Sequence, residues 1–125
     1  MKHILWIGLA GSLGAVTRIV VGQFIHSESG FPIATLVVNL VGTFALCFIV
    51  AGTLRKISAN RQLYDAVTTG FLGSFTTFSA LSMETVLMVE NGQLAMAMLY
   101  VVLSIIGGLA AGIFGFYLGD RKVRV

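Results

Sequence analysis

Four long apolar runs constrain this chain more than any other feature of its sequence. They lie roughly at residues 4–24, 31–54, 63–89 and 94–118. Each reaches the length of about 20 residues that a helix needs to cross the hydrocarbon of a bilayer. Charge is scarce within them: Arg18 in the first and Glu84 in the third are the only charges well inside a run. Of the 125 residues 57% are hydrophobic and 10% charged, whereas an ordinary soluble domain carries about 25% charged residues. A soluble chain this small would also have a large surface to cover with polar groups. The expected fold is therefore all-α and integral to a membrane, with four transmembrane helices forming a single domain over residues 1–125. The connections are short: Ser27-Glu28-Ser29-Gly30, residues 55–61, and Glu90-Asn91-Gly92. Pro32, the one proline, stands at the start of the second run, where its missing N–H costs nothing. A cleaved signal peptide fits the first run poorly. Lys2 suits an n-region, but no small-x-small site ends the run and Arg18 interrupts it.

The charges outside the runs give an orientation. With an even number of spans, both termini and the second connection share one side. That side carries Lys2, Arg55, Lys56, Arg61, Arg121, Lys122 and Arg124, and the other two connections carry no Lys or Arg. By the positive-inside rule both termini are expected in the cytoplasm, in one fixed orientation in the cell membrane. The formal charge of +3 is too small and too dispersed for a nucleic-acid partner. The single cysteine, Cys47, excludes an intrachain disulfide and reads as a small buried hydrophobe.

Lipid tails are as apolar as leucine, so helices associate in a bilayer through close packing at small residues. Gly8, Gly11 and Gly14 in the first run, and Gly108, Gly112, Gly115 and Gly119 in the fourth, are candidates for such seams. The third run contains Thr68-Thr69-Gly70-Phe71-Leu72-Gly73-Ser74-Phe75-Thr76-Thr77-Phe78-Ser79. Two glycines in a dense hydroxyl run suggest a broken helix, whose freed carbonyls are hard ligands suited to a cation such as sodium. A continuous helix with hydroxyls bonded back to the preceding turn accounts for the same residues.

Thr35, Asn39 and Thr43 recur every fourth residue and share a helix face. The Asn39 amide either donates to an anion or joins two helices. Tyr100 and Ser104 share a face of the fourth run, and Phe78, Leu81, Ser82 and Thr85 share one side of the third. Neutral hydroxyl and amide donors suit a small anion with strong hydrogen-bond demand, such as fluoride, without the deep trap that a lysine would create. The positive edge of the Phe78 ring offers a second contact to an anion, although ordinary packing also explains it. Arg18 and Glu84 fall in the same half of the bilayer, where they either pair or face water as structural or vestibule charges.

Three stretches resemble one family. Gly11-Ser12-Leu13-Gly14-Ala15-Val16-Thr17-Arg18 is similar to its G-x-x-G-A-x-x-R pattern, and Thr35-Leu36-Val37-Val38-Asn39-Leu40-Val41-Gly42 to its T-L-x-V-N-x-x-G pattern. Gly70-Phe71-Leu72-Gly73-Ser74-Phe75-Thr76-Thr77-Phe78-Ser79 resembles its G-F-x-G-G-x-T-T-F-S pattern, with Glu84 following at the expected place. Each motif is weak alone; their order along the whole chain is specific. The family is that of the Fluc (CrcB) fluoride channels, which move fluoride passively out of microbial cytoplasm. The resemblance implies two subunits in an antiparallel dimer with two fluoride pathways along their interface. It also implies a structural sodium ion, not transported, held by backbone carbonyls matching Gly73 and Thr76. The pathway positions it implies are Asn39, Phe78, Tyr100 and Ser104, to which the shared face of the third run adds Ser82.

Three departures matter. Leu81 replaces the family's second phenylalanine, Ser74 replaces the second glycine of the G-G pair, and Gly108 stands where a further serine is usual. These losses, and the charge bias, point to a paralogue of opposite bias as the second subunit. A homodimer, and a non-conducting or half-active partner subunit, are the alternatives within the family. A small multidrug transporter has similar length and four spans, but needs a carboxylate deep in its first helix, where this chain has only Arg18. An enzyme is not expected: the runs hold no His, no Cys/His pair and a single deeply embedded carboxylate.

Overall fold

The computed structural model describes residues 2–25, 30–53 and 60–124. The basic pair Arg55 and Lys56, and most of the first connection, lie outside the described residues. Among the described residues, four helical spans are long and apolar enough to cross a membrane. Helix α1 is Lys2–Phe24 and α2 is Ile33–Thr53. Pro32 caps the second helix from outside, its carbonyl accepting from Leu36 N at 3.2 Å. The fourth span, Leu94–Arg124, is one helix of 31 residues, numbered α6 below. At 1.5 Å per residue it is about 46 Å long, well beyond the hydrocarbon thickness. It therefore continues past the run ending at Leu118 and carries Arg121 and Lys122 to the basic side.

The third span is built in pieces. Helix α3 (Arg61–Asp65) leads into a π-helical stretch, Ala66–Leu72, and then α4 (Gly73–Phe75). Thr76 and Thr77 are extended, with φ/ψ of −77°/151° and −149°/125°. Helix α5, Phe78–Glu90, completes the span. The break expected from the glycine and hydroxyl run is present, two residues beyond Ser74.

Helices α2 and α6 lie along each other, α1 packs on the part of the third span before its break, and α5 packs on α6 and α2. Glycines set two of these seams. A Cβ at Gly14 would collide with the Phe71 carbonyl, and one at Gly115 or Gly119 with the Phe44 or Phe48 carbonyl. Backbones meet there because no side chain intervenes. Gly8 and Gly108 are different: a Cβ at either meets nothing within 4 Å. The face of α1 bearing Leu5, Leu9, Leu13 and Val16 is exposed, as a lipid-facing surface would be.

Candidate functional site

The break in the third span is held from outside. Asn39, on α2, places its carboxamide against the Thr77 backbone. Its Nδ2 donates to the Thr77 carbonyl at 2.9 Å, and its Oδ1 accepts from Thr77 N at 2.8 Å. The Thr77 hydroxyl then accepts from Ala80 N at 3.2 Å, as the N-cap of α5. These bonds redirect two backbone donors that a continuous helix would give to Gly73 and Thr76. The carbonyls of Gly73 and Thr76 thus lose their helical partners and are available to a ligand. Thr76 itself still donates backward, N and Oγ1 both reaching the Leu72 carbonyl at 3.1 and 3.0 Å.

Beside the break lies an open cavity of about 510 Å³. Asn39, Thr43, Gly73, Thr76, Phe78 and Ser104 contribute to its wall. A carboxamide carries two N–H donors, and the bond to Thr77 uses one, so Asn39 keeps a second. Ser104 Oγ is buried and has no hydrogen-bond partner among the described residues. Phe78, at the first turn of α5, is 80% exposed. Ser82 lies one turn on, its hydroxyl donating to the Phe78 carbonyl at 3.0 Å, so its proton is already engaged. Gly108 lines the cavity and also a second, more apolar groove of about 920 Å³ that runs on past Thr43, Cys47 and Gly112 to Asp120.

Toward the other side, Glu84 accepts from Thr35 Oγ1 at 2.7 Å and from the Tyr100 hydroxyl at 2.6 Å. Tyr100 is fully buried against Met88 and Ala97, with the Phe31 ring edge-on at 5.5 Å. Its hydroxyl is therefore committed to Glu84 and does not line the cavity by Ser104. The pairing of Arg18 with Glu84 does not form: no ion pair joins them among the described residues, and α1 makes no contact with α5. Arg18 sits half-buried on α1, apart from the polar cluster. The stripe Thr35, Asn39, Thr43 does hold together as one face, presented in turn to Glu84, to the break and to the cavity.

The family model for "CrcB-like protein, Camphor Resistance (CrcB)" matches residues 5–116. The chain belongs to this CrcB family. A relative from Bacillus cereus, named Fluoride-specific ion channel FluC 1, is 40% identical over 99% of this chain and 93% of its own length. One from Desulfitobacterium hafniense with the same name is 42% identical over 82% of this chain and 90% of its own. Fluoride-specific ion channel FluC 2 from Listeria innocua is 36% identical, covering 98% and 94%.

Two features of this CrcB chain were not singled out in its sequence. The π-helical stretch is one; its i→i+5 bonding leaves no pattern of residue types, although wide-pitch turns often mark functional sites. The other is a contact at the basic side, where His3 Nε2 lies 3.1 Å and Arg61 Nε 3.8 Å from Asp65 Oδ2. His3 Nε2 makes no hydrogen bond among the described residues, so Arg61 is the cation of the contact. It ties the start of α1 to the start of the third span.

Proposed function

We propose that this chain is a subunit of a fluoride-selective channel that exports fluoride passively and so protects the cell from it. The observation that carries the reading is the cavity beside the break. Its donors are neutral, the second Asn39 N–H and the Ser104 hydroxyl, and no Lys or Arg among the described residues lines it. A small, strongly hydrated anion can trade water for such donors and still leave. The Phe78 ring stands at the same cavity and presents its positive edge as the ion passes. Ser82, one turn further, serves the ion by turning its hydroxyl away from the Phe78 carbonyl, and Tyr100 acts through Glu84, which it holds with Thr35. Fluoride-specific relatives of near-equal length support this assignment.

The carbonyls of Gly73 and Thr76 are proposed as ligands of a structural sodium ion. They are hard oxygens freed by the Asn39 clamp, which suits that ion. Two oxygens from one chain make only part of the oxygen shell that a hard cation gathers. A second subunit would complete the shell, giving the ion a place at the dimer centre. We infer that this second subunit is antiparallel and is a paralogue of opposite charge bias. Support comes from the basic residues, gathered on one side, and from Leu81 and Gly108. The names FluC 1 and FluC 2 among the relatives accord with paired chains. On this reading the termini are cytoplasmic.

Fluoride efflux from liposomes, read with a fluoride electrode, tests the proposal. Vesicles holding this chain with its paralogue are expected to release fluoride but not chloride, and Phe78→Ile to lose flux with assembly intact. Robust efflux from this chain alone, with termini found on both sides in cells, overturns the heterodimer. Absence of fluoride release from every combination, with transport of organic cations instead, overturns the channel.

A further inference from the structure

On the basic side a separate cavity of about 520 Å³ opens between the ends of α2 and α6. It is lined by Phe48, Leu118, Arg121 and Lys122. Its floor is apolar and its rim carries two adjacent cations, both exposed. Lys122 does not wave freely: its Nζ sits over the Phe48 ring, 5.5 Å from the centroid. Phe48 stacks on Phe44 at 6.1 Å, and Phe44 meets Phe114 at 5.9 Å. A rail of aromatic surface therefore leads from the cations back along the α2–α6 seam toward the bilayer interior.

Helical geometry gathers the cations and sets the nearest acid apart. Leu118 and Lys122 are one turn apart and Arg121 falls beside them, whereas Asp120 lies about 200° around the helix from Leu118. Asp120 lines the neighbouring groove instead. Cations at a helix C-terminus are favoured by the helix dipole wherever they point. The dipole does not account for an aromatic floor under one of them, nor for a hollow beside both.

We propose that this cavity binds one anionic phospholipid, with its phosphodiester between Arg121 and Lys122 and an acyl chain along Phe48 and the aromatic rail. Arg offers a planar fork to two phosphate oxygens, and Lys adds a point charge already oriented by the ring. The membrane-interface position and the apolar floor select a lipid over a soluble phosphate, since only a lipid fills both parts. The site lies apart from the Asn39–Thr77 break, so it positions the α2–α6 pair without touching the ion route.

Native mass spectrometry of the assembled protein, released from vesicles of equal phosphatidylglycerol and phosphatidylcholine, tests this. One phosphatidylglycerol should be retained per copy of this chain, and phosphatidylcholine should not. Each charge removed is expected to weaken retention roughly fivefold, a surface cation being worth about 1 kcal/mol toward anionic lipid. Arg121→Gln with Lys122→Gln should then release the lipid. Lys2→Gln with Arg61→Gln, a pair on the same side but outside the cavity, should not. Millimolar glycerol 3-phosphate should fail to displace it. Equal retention of the two lipids by the unaltered protein overturns the proposal without any variant. So does equal loss from both variant pairs, which would mean surface charge alone. Displacement by glycerol 3-phosphate overturns the lipid as occupant and leaves a soluble phosphate site.

Discussion

The third and fourth spans are both apolar and both contain glycine, yet one breaks and the other does not. Helix α6 runs unbroken through Gly107, Gly108, Gly112, Gly115 and Gly119. The third span contains only Gly70 and Gly73, and it breaks three residues after the second of them. Glycine content therefore does not decide continuity inside a membrane. A helix in lipid opens only where its freed backbone groups find new partners. The third span has them: Asn39 takes both polar groups of Thr77, and the Thr77 hydroxyl takes Ala80 N. The fourth span has no comparable clamp, and its glycines serve packing.

The strongest way to break this contrast is to remove the clamp. In Asn39→Leu, Thr77 N and its carbonyl lose their partners. Leaving both unsatisfied would cost about 2–6 kcal/mol, but the chain has an escape: Thr77 N can bond the Gly73 carbonyl and heal the helix. Interhelical hydrogen bonds in membranes average about 0.6 kcal/mol for this reason, the altered state finding other partners. The expected outcome is thus a folded protein, destabilised by only about 1 kcal/mol, with fluoride efflux at the level of empty liposomes. Thermal unfolding in detergent and electrode recordings separate the two effects. Unchanged flux would show that the clamp does not create the site.

Next in size is an attack on the continuous span. Gly115→Leu drives a side chain into the Phe44 backbone. Backbone cannot yield as a flexible side chain does, so roughly 3 kcal/mol of stability is expected to be lost, read as a lower unfolding temperature and a smaller monodisperse fraction. Thr77→Val is milder. It keeps the Asn39 bonds, which reach backbone only, and deletes the cap on Ala80 and the 3.1 Å contact with Ser79 Oγ. A lost cap costs about 1 kcal/mol. Flux should fall partially and stability slightly, by the same two measurements.

The contrast also explains what could be read in the sequence. Span positions were legible because apolar runs of bilayer length have one solution in lipid. Helix α6 overran its predicted end at Leu118 because its charged last turns need no hydrocarbon to stay helical. The glycine and hydroxyl run located the break to within a few residues. Its placement at Thr76 and Thr77 depends on Asn39, far away in sequence, and no local pattern encodes that. In the sequence, Asn39 fits both an anion donor and a helix-joining amide. Its two donors allow both, with one bonded to Thr77 and one left over. Glu84 finds Thr35 and Tyr100 rather than Arg18 because α1 packs against the part of the third span before its break, and span direction alone cannot reveal which helices are neighbours.

The smallest expected effect sharpens the comparison most, because it separates two kinds of glycine within α6. Gly115 and Gly119 face backbone; Gly108, less than two turns before Gly115, faces the cavity with nothing within 4 Å of a Cβ. Gly108→Ser should therefore be accepted without strain. A serine in a helix is favoured over glycine by up to about 0.5 kcal/mol, so stability should hold or rise slightly. The new hydroxyl would stand one turn from Ser104, extending the row of neutral donors by one. If fluoride follows that row in this chain, flux through the pathway lined by α6 should increase, with selectivity over chloride retained. If the pathway on this side is already closed by Leu81, Gly108→Ser alone should leave flux unchanged, and the double variant Leu81→Phe, Gly108→Ser should raise it. Efflux from vesicles holding each variant with the same partner reads both cases. A loss of stability in Gly108→Ser would mean that the cavity wall is a packed seam after all, and would remove the distinction between the glycines of α6.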